Sequence, residues 1–106
     1  MDCKYRIISS NNLGHVIACE DCNQLIIGLG TVILKFDPGQ CRIFVQALQR
    51  ATKNFNESGA LVGDKIFLKT PVSNMLIAFN KQELQLGIEL VEYALLRNEV
   101  DELIHI

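Results

Sequence analysis

The residues best suited to chemistry are Cys19 and Cys22, in the run Cys19-Glu20-Asp21-Cys22-Asn23. Two cysteines at this spacing on a turn can converge their thiolates on one tetrahedral ion at about 2.3 Å each. They can also trade two electrons as a dithiol–disulfide pair, or be two thiols on a plain turn. Zinc is the candidate ion, and it needs four ligands, or three and a water. The sequence has no second C-x-x-C, so no zinc ribbon is spelled out. Cys41 is the expected third ligand, because a hairpin that leaves the Cys22 region and returns should bring the start of the next helix back to it. Cys3 or His15 could complete the set. Four residues along a strand hold His15 about 13 Å from Cys19, which counts against it. Against that, Cys41 reads first as a core residue, since it lies on the buried stripe of its helix and free cysteine is among the most buried residue types. Against the redox reading, Glu20 and Asp21 oppose thiolate formation by like charge, and no strand-to-helix setting lowers the thiol pKa.

Little else in the chain has catalytic form. His15 reads as a strand side chain with a local partner, and His105 as a solvated one. Gly28-Leu29-Gly30 leads into a strand rather than a helix, so it lacks the setting of a phosphate loop. No Ser, His and acid grouping suggests a nucleophile system, and no carboxylate pair stands out from solvated charge.

The elements around the cysteines follow from local pattern. Tyr5, Ile7 and Ile8 are a candidate edge strand, and residues 9–12 are a loop of side chains that bond their own backbone. Residues 15–18 lean towards a strand. Gln24–Leu29 and Val32–Phe36 are strands joined at Gly30-Thr31, with Gly supplying the positive φ of a primed turn. This hairpin is apolar at nearly every position, so both of its faces are expected to be covered. Asp37 caps a helix, Pro38 fits its first position, and Gln40 completes a capping box. Cys41, Phe44, Val45, Leu48, Ala51 and Phe55 follow the i, i+3, i+4, i+7 rule and form its buried stripe. Gly59 marks its end. A second strand pair follows over 65–70 and 75–79, around Pro71-Val72-Ser73-Asn74. Asn80 and Glu83 repeat the capping box ahead of a second helix, from about Lys81 to at least Arg97.

The two halves share a pattern. An offset of 43 residues aligns Phe36 with Phe79, Asp37 with Asn80, Gln40 with Glu83 and Leu48 with Val91. The expectation is one α+β domain of two ββα units, residues 14–56 and 60–103. They would form an antiparallel sheet of four or five strands with both helices on one face.

The second helix speaks of partners. Leu84, Ile88, Val91 and Leu95 make one apolar stripe, and Leu86, Leu90, Tyr93 and Leu96 lie on nearly the opposite side. Val100, Leu103, Ile104 and Ile106 add apolar surface after them. A helix apolar all round must be covered on both faces. Either the N-terminal arm covers the second stripe within one chain, or a homo-oligomer or another partner's interface forms through it.

Composition sets the limits. With 106 residues, 49% of them hydrophobic, the chain can bury one core without staples. A net charge of −2, from 10 basic and 12 acidic residues, with no basic run, excludes a nucleic-acid binder. No apolar stretch is long enough to span a bilayer. Residues 1–10 carry Asp2, Lys4 and Arg6 and show no signal peptide. A cytoplasmic setting is expected, where a close cysteine pair is more often metal-binding or redox-active than a structural disulfide.

The run from His15 to Phe36 resembles a family of small bacterial proteins of about this length with no assigned function. That family shows a C-x-x-C turn, a hairpin with a Gly-centred turn, and then a helix. Cys19, Cys22, Gly30 and Phe36 carry the likeness, which covers roughly the first half of the chain and implies no activity. Thr31 departs from the Asn expected in the turn. Taken together, the sequence points to a non-enzymatic interaction module that self-associates. The alternatives are a zinc domain built on Cys19 and Cys22, and a thiol redox protein.

Overall fold

The computed structural model describes residues 4–58, 65–69 and 74–104, apart from the side chains of 54–58 and 102. The elements run β1 (Tyr5–Ser10), β2 (Gly14–Cys19), β3 (Gln24–Leu29), β4 (Val32–Phe36), α1 (Pro38–Ser58), β5 (Ile66–Lys69), β6 (Leu76–Phe79) and α2 (Lys81–Ile104). The fold is α+β, with a ββα order that occurs twice. Gly59, residues 71–73 and the Phe55 side chain, which the sequence reading used, lie outside the described residues.

Strands β1 to β4 form a four-stranded antiparallel meander in chain order, and β5 pairs with β6 in a separate two-stranded sheet. The two ββα units therefore do not pool their strands. The sheet reaches four through β1, which hydrogen-bonds to β2. Asn11 makes that pairing local. Its side-chain oxygen accepts from the Leu13 amide at 2.9 Å, and its own amide donates to the Gly14 carbonyl at 3.0 Å. Ser9 and Ser10, expected in a loop, are thus strand residues, because Asn11 alone closes the turn. The register shifts between Ile7 and Ser9, a bulge that lets Ile8 and Ser9 both be buried.

The β3–β4 connection is a two-residue turn with Leu29 opposite Val32. Gly30 has φ +60, and Thr31 is not in the left-handed region. A primed turn of the II′ kind needs positive φ only at its first central residue, so Thr31 fits where a turn of the I′ kind would favour Asn. Gly14 is required by close approach, since a Cβ there would overlap the Gly28 carbonyl oxygen across the strand pair.

Both capping boxes form. Gln40 N donates to Asp37 Oδ1 at 2.7 Å and Asp37 N to Gln40 Oε1 at 2.9 Å. At the start of α2, Glu83 N donates to Asn80 Oδ1 and Asn80 N to Glu83 Oε1, both at 2.8 Å. Helix α1 packs on β3 and β4 and α2 on β1 and β2, and the two helices pack against each other. Val16, Ala18, Leu25, Ile27, Leu34 and Phe36 from the sheet meet Cys41, Phe44, Val45 and Leu48 of α1 and Leu84, Val91 and Ala94 of α2 in one core. Each fully buried aliphatic side chain there contributes about 1.5–3 kcal/mol. Both helices therefore share one face of the sheet.

Among the described residues the other face is open, which corrects the expectation of a hairpin covered on both sides. Ile7, Ile17, Ile26 and Lys35 stand in one register row across it, and Ile7 and Ile33 are exposed. An all-apolar strand sequence does not reveal which of its faces the helices will take.

Candidate functional site

Strand β2 ends at Cys19, opposite Gln24 at the start of β3. Glu20 to Asn23 form the four-residue turn between them. Asn23 has φ 50, a left-handed conformation that asparagine tolerates better than most residues. The start of β1 braces this turn: Glu20 N donates to the Lys4 carbonyl at 3.0 Å, and Lys4 N donates to Asp21 Oδ2 at 3.4 Å. Cys19 and Cys22 are joined as a disulfide with their Cα atoms 5.7 Å apart. Cys19 is 4% exposed, whereas Cys22 stands on the exposed tip. A cavity of about 480 Å³ borders Cys19, lined also by Arg6, Glu20, Asp21, Asn23, Asn98 and Asp101. Arg6 Nη2 donates to Asp101 Oδ2 across it, tying the turn's neighbourhood to the distal part of α2.

Cys41 sits in the first turn of α1, wholly buried in the core. Burial pushes its thiol up to about 12, with the Asp37 carboxylate adding to the rise and Arg42 offsetting part of it. A thiol held protonated in this way is a poor ligand and a poor nucleophile at neutral pH. Among the described residues, no three of His, Cys, Asp and Glu stand together as a metal ion would need. Cys3 and His105 lie outside the described residues. His15 is exposed on the open sheet face with its imidazole against Gly28, where a Cβ would meet the ring at 3.0 Å.

The second stripe of α2 divides between two fates. Leu90 is 1% exposed and belongs to the core, so it is not available to a partner. Strand β1 covers that part of the helix. The Ser9 hydroxyl donates to the Leu90 carbonyl at 2.7 Å, and Asn11 Nδ2 donates to the Leu86 carbonyl at 2.8 Å. Intrachain covering by the N-terminal arm thus accounts for one side of the stripe. Tyr93, Leu96, Val100 and Leu103 remain exposed at 54%, 60%, 45% and 71%, and Leu86 is half-buried at the head of the same line.

These positions have a spacing that grouping them by face alone overlooks. Leu86, Glu89, Tyr93, Leu96, Val100 and Leu103 alternate in steps of three and four, the a/d pattern of a coiled-coil seam. Glu92 and Arg97 flank it at g and e positions. A shallow groove of about 570 Å³ runs beside Tyr93 and Leu96, edged by Glu89, Glu92 and Glu99. Glu92 accepts from Gln49 Nε2 at 2.8 Å and Glu99 from Arg42 Nη2 at 3.1 Å, so α1 holds this edge in place. The open sheet face was likewise missed. Its signal was one outward isoleucine in each of β1 and β2, Ile7 and Ile17, masked in β3 and β4 by apolar neighbours on both sides.

Among the described residues, no helix is long and apolar enough to cross a membrane. No curated protein and no solved structure is detectably similar to the chain. Residues 1–105 match the family model described as "Family of unknown function (DUF6686)", and the chain belongs to that family.

Proposed function

We propose that this protein is a non-enzymatic interaction module that pairs with a second copy of itself through the outward stripe of α2. The observation that carries the reading is the run Leu86, Tyr93, Leu96, Val100 and Leu103 on a helix whose opposite side already fills the core. An apolar seam of this length on the solvent side of a stable helix is an incomplete packing surface. A second copy suits it because a seam with a/d spacing is complementary to itself about a two-fold axis. The parallel arrangement has one charge pairing in its favour and one against it, since Glu89 at a d position would face its own copy. Glu92 and Arg97 are five residues apart, so parallel pairing sets Glu92 of each copy beside Arg97 of the other.

Leu96→Glu places a charge in the middle of the seam without touching the core. Multi-angle light scattering at tens of micromolar is expected to give twice the 11.9 kDa chain mass for the natural sequence. Leu96→Glu is expected to give a single chain mass with an unchanged circular dichroism spectrum. A natural chain that is monomeric throughout this range defeats the reading.

A further inference from the structure

We propose that the Cys19–Cys22 turn is a reversible dithiol–disulfide exchange site that reacts with a small disulfide of the glutathione type. It is independent of the pairing of α2.

Three observations carry it. The first is asymmetry of access. Cys22 is on the exposed tip and Cys19 is buried at the strand end, so one sulfur can meet a co-reactant while the other waits behind it. Exchange needs an accessible attacking thiolate and a neighbour able to resolve the mixed disulfide. The second is that the bond does little to hold the fold. It spans three positions in a turn already closed by the β2–β3 register and by Glu20 N on the Lys4 carbonyl. Cross-links contribute least where the loop is short, and the core is complete without this one. Opening and closing it therefore leave the protein folded. The third is space: a cavity of about 480 Å³ lies beside Cys19, walled by Asn23 and Asn98, by Arg6 in its pair with Asp101, and by the acidic Glu20 and Asp21.

In the reduced protein, the Cys22 thiolate attacks one sulfur of the small disulfide. A Cys22–sulfur bond forms, the sulfur–sulfur bond of the co-reactant breaks, and one thiolate leaves. The Cys19 thiolate then attacks the Cys22 sulfur and expels the second thiolate, closing Cys19–Cys22. Two electrons pass from the protein to the co-reactant, and the two protons of the cysteine thiols end on the two departing thiols. Reduction by excess small thiol runs the same steps backwards.

The test is a titration of the full chain in glutathione buffers of varied ratio, acid-quenched, alkylated and read by mass spectrometry, with Cys3→Ser as background to keep the count clean. The expected result is one two-electron transition of Cys19 and Cys22 within the range of ratios, with Cys41 unlabelled until the protein is unfolded. Cys19→Ser is expected to retain one glutathionyl group on Cys22, and Cys22→Ser to take up at least tenfold less on the buried Cys19. A pair that stays oxidised at the most reducing ratio is a structural cross-link and overturns the proposal. So does a pair that stays reduced at the most oxidising ratio, or one zinc ion per chain bound by both thiols. If Cys19→Ser fails to fold, the transition of the Cys3→Ser protein decides alone.

Discussion

Helix α1 turns one apolar stripe inward, whereas α2, which starts from the same kind of capping box, is apolar on two sides. Both begin with an Asx residue whose side chain accepts from the amide three positions on. Both send a stripe into the same core, Cys41 to Ala51 from one and Leu84 to Leu95 from the other. They part company on the outside. On α1 the outer positions are Arg42, Gln46, Gln49, Arg50 and Lys53, with Ile43 a single exposed apolar residue among them. On α2 they are Leu86, Tyr93, Leu96, Val100 and Leu103. On the proposed pairing, the inner side of α2 serves folding and its outer side serves association.

The largest effect that sharpens the contrast is on the inner side. Leu48→Ala opens a cavity between the helices and is expected to cost about 2–5 kcal/mol in chemical denaturation. Leu96→Ala, on the outer side, is expected to change the stability of the isolated chain by less than about 0.5 kcal/mol. Similar losses at both positions would mean that the outer stripe is part of the folding core.

A smaller effect tests the sameness of the helix starts. Asp37→Ala and Asn80→Ala each remove a side-chain acceptor from an otherwise orphaned amide and should each cost about 1 kcal/mol. A loss at one and none at the other, measured by urea denaturation, would show that one box is redundant with tertiary packing.

Much of this architecture was legible because it is local. The boxes at Asp37-Gln40 and Asn80-Glu83, the Cys41-to-Ala51 stripe and the Gly30 turn all follow from residues within one turn of each other. What escaped the sequence is what distant segments decide. The pairing of β5 with β6 apart from the main sheet is a long-range fact, and β1 joins that sheet through Asn11 closing a turn between residues with weak strand signals. Leu90 looked like a partner contact because helix periodicity says which residues share a side, not which other element will lie over that side. Ser9 bonding to the Leu90 carbonyl is such a tertiary fact. For the cysteines, spacing identified Cys19 and Cys22 as a pair, and the helical stripe pointed Cys41 to the core, where the structure has it.

Covalent trapping at the seam tests the central claim most directly. Parallel pairing places the same a position of two copies side by side, so Val100→Cys in a Cys3→Ser background is expected to give a disulfide-linked dimer on mild oxidation. Ile43→Cys, more exposed than Val100 but on α1, should remain monomeric under the same treatment. Equal trapping at both positions, or none at Val100→Cys, would contradict pairing through α2.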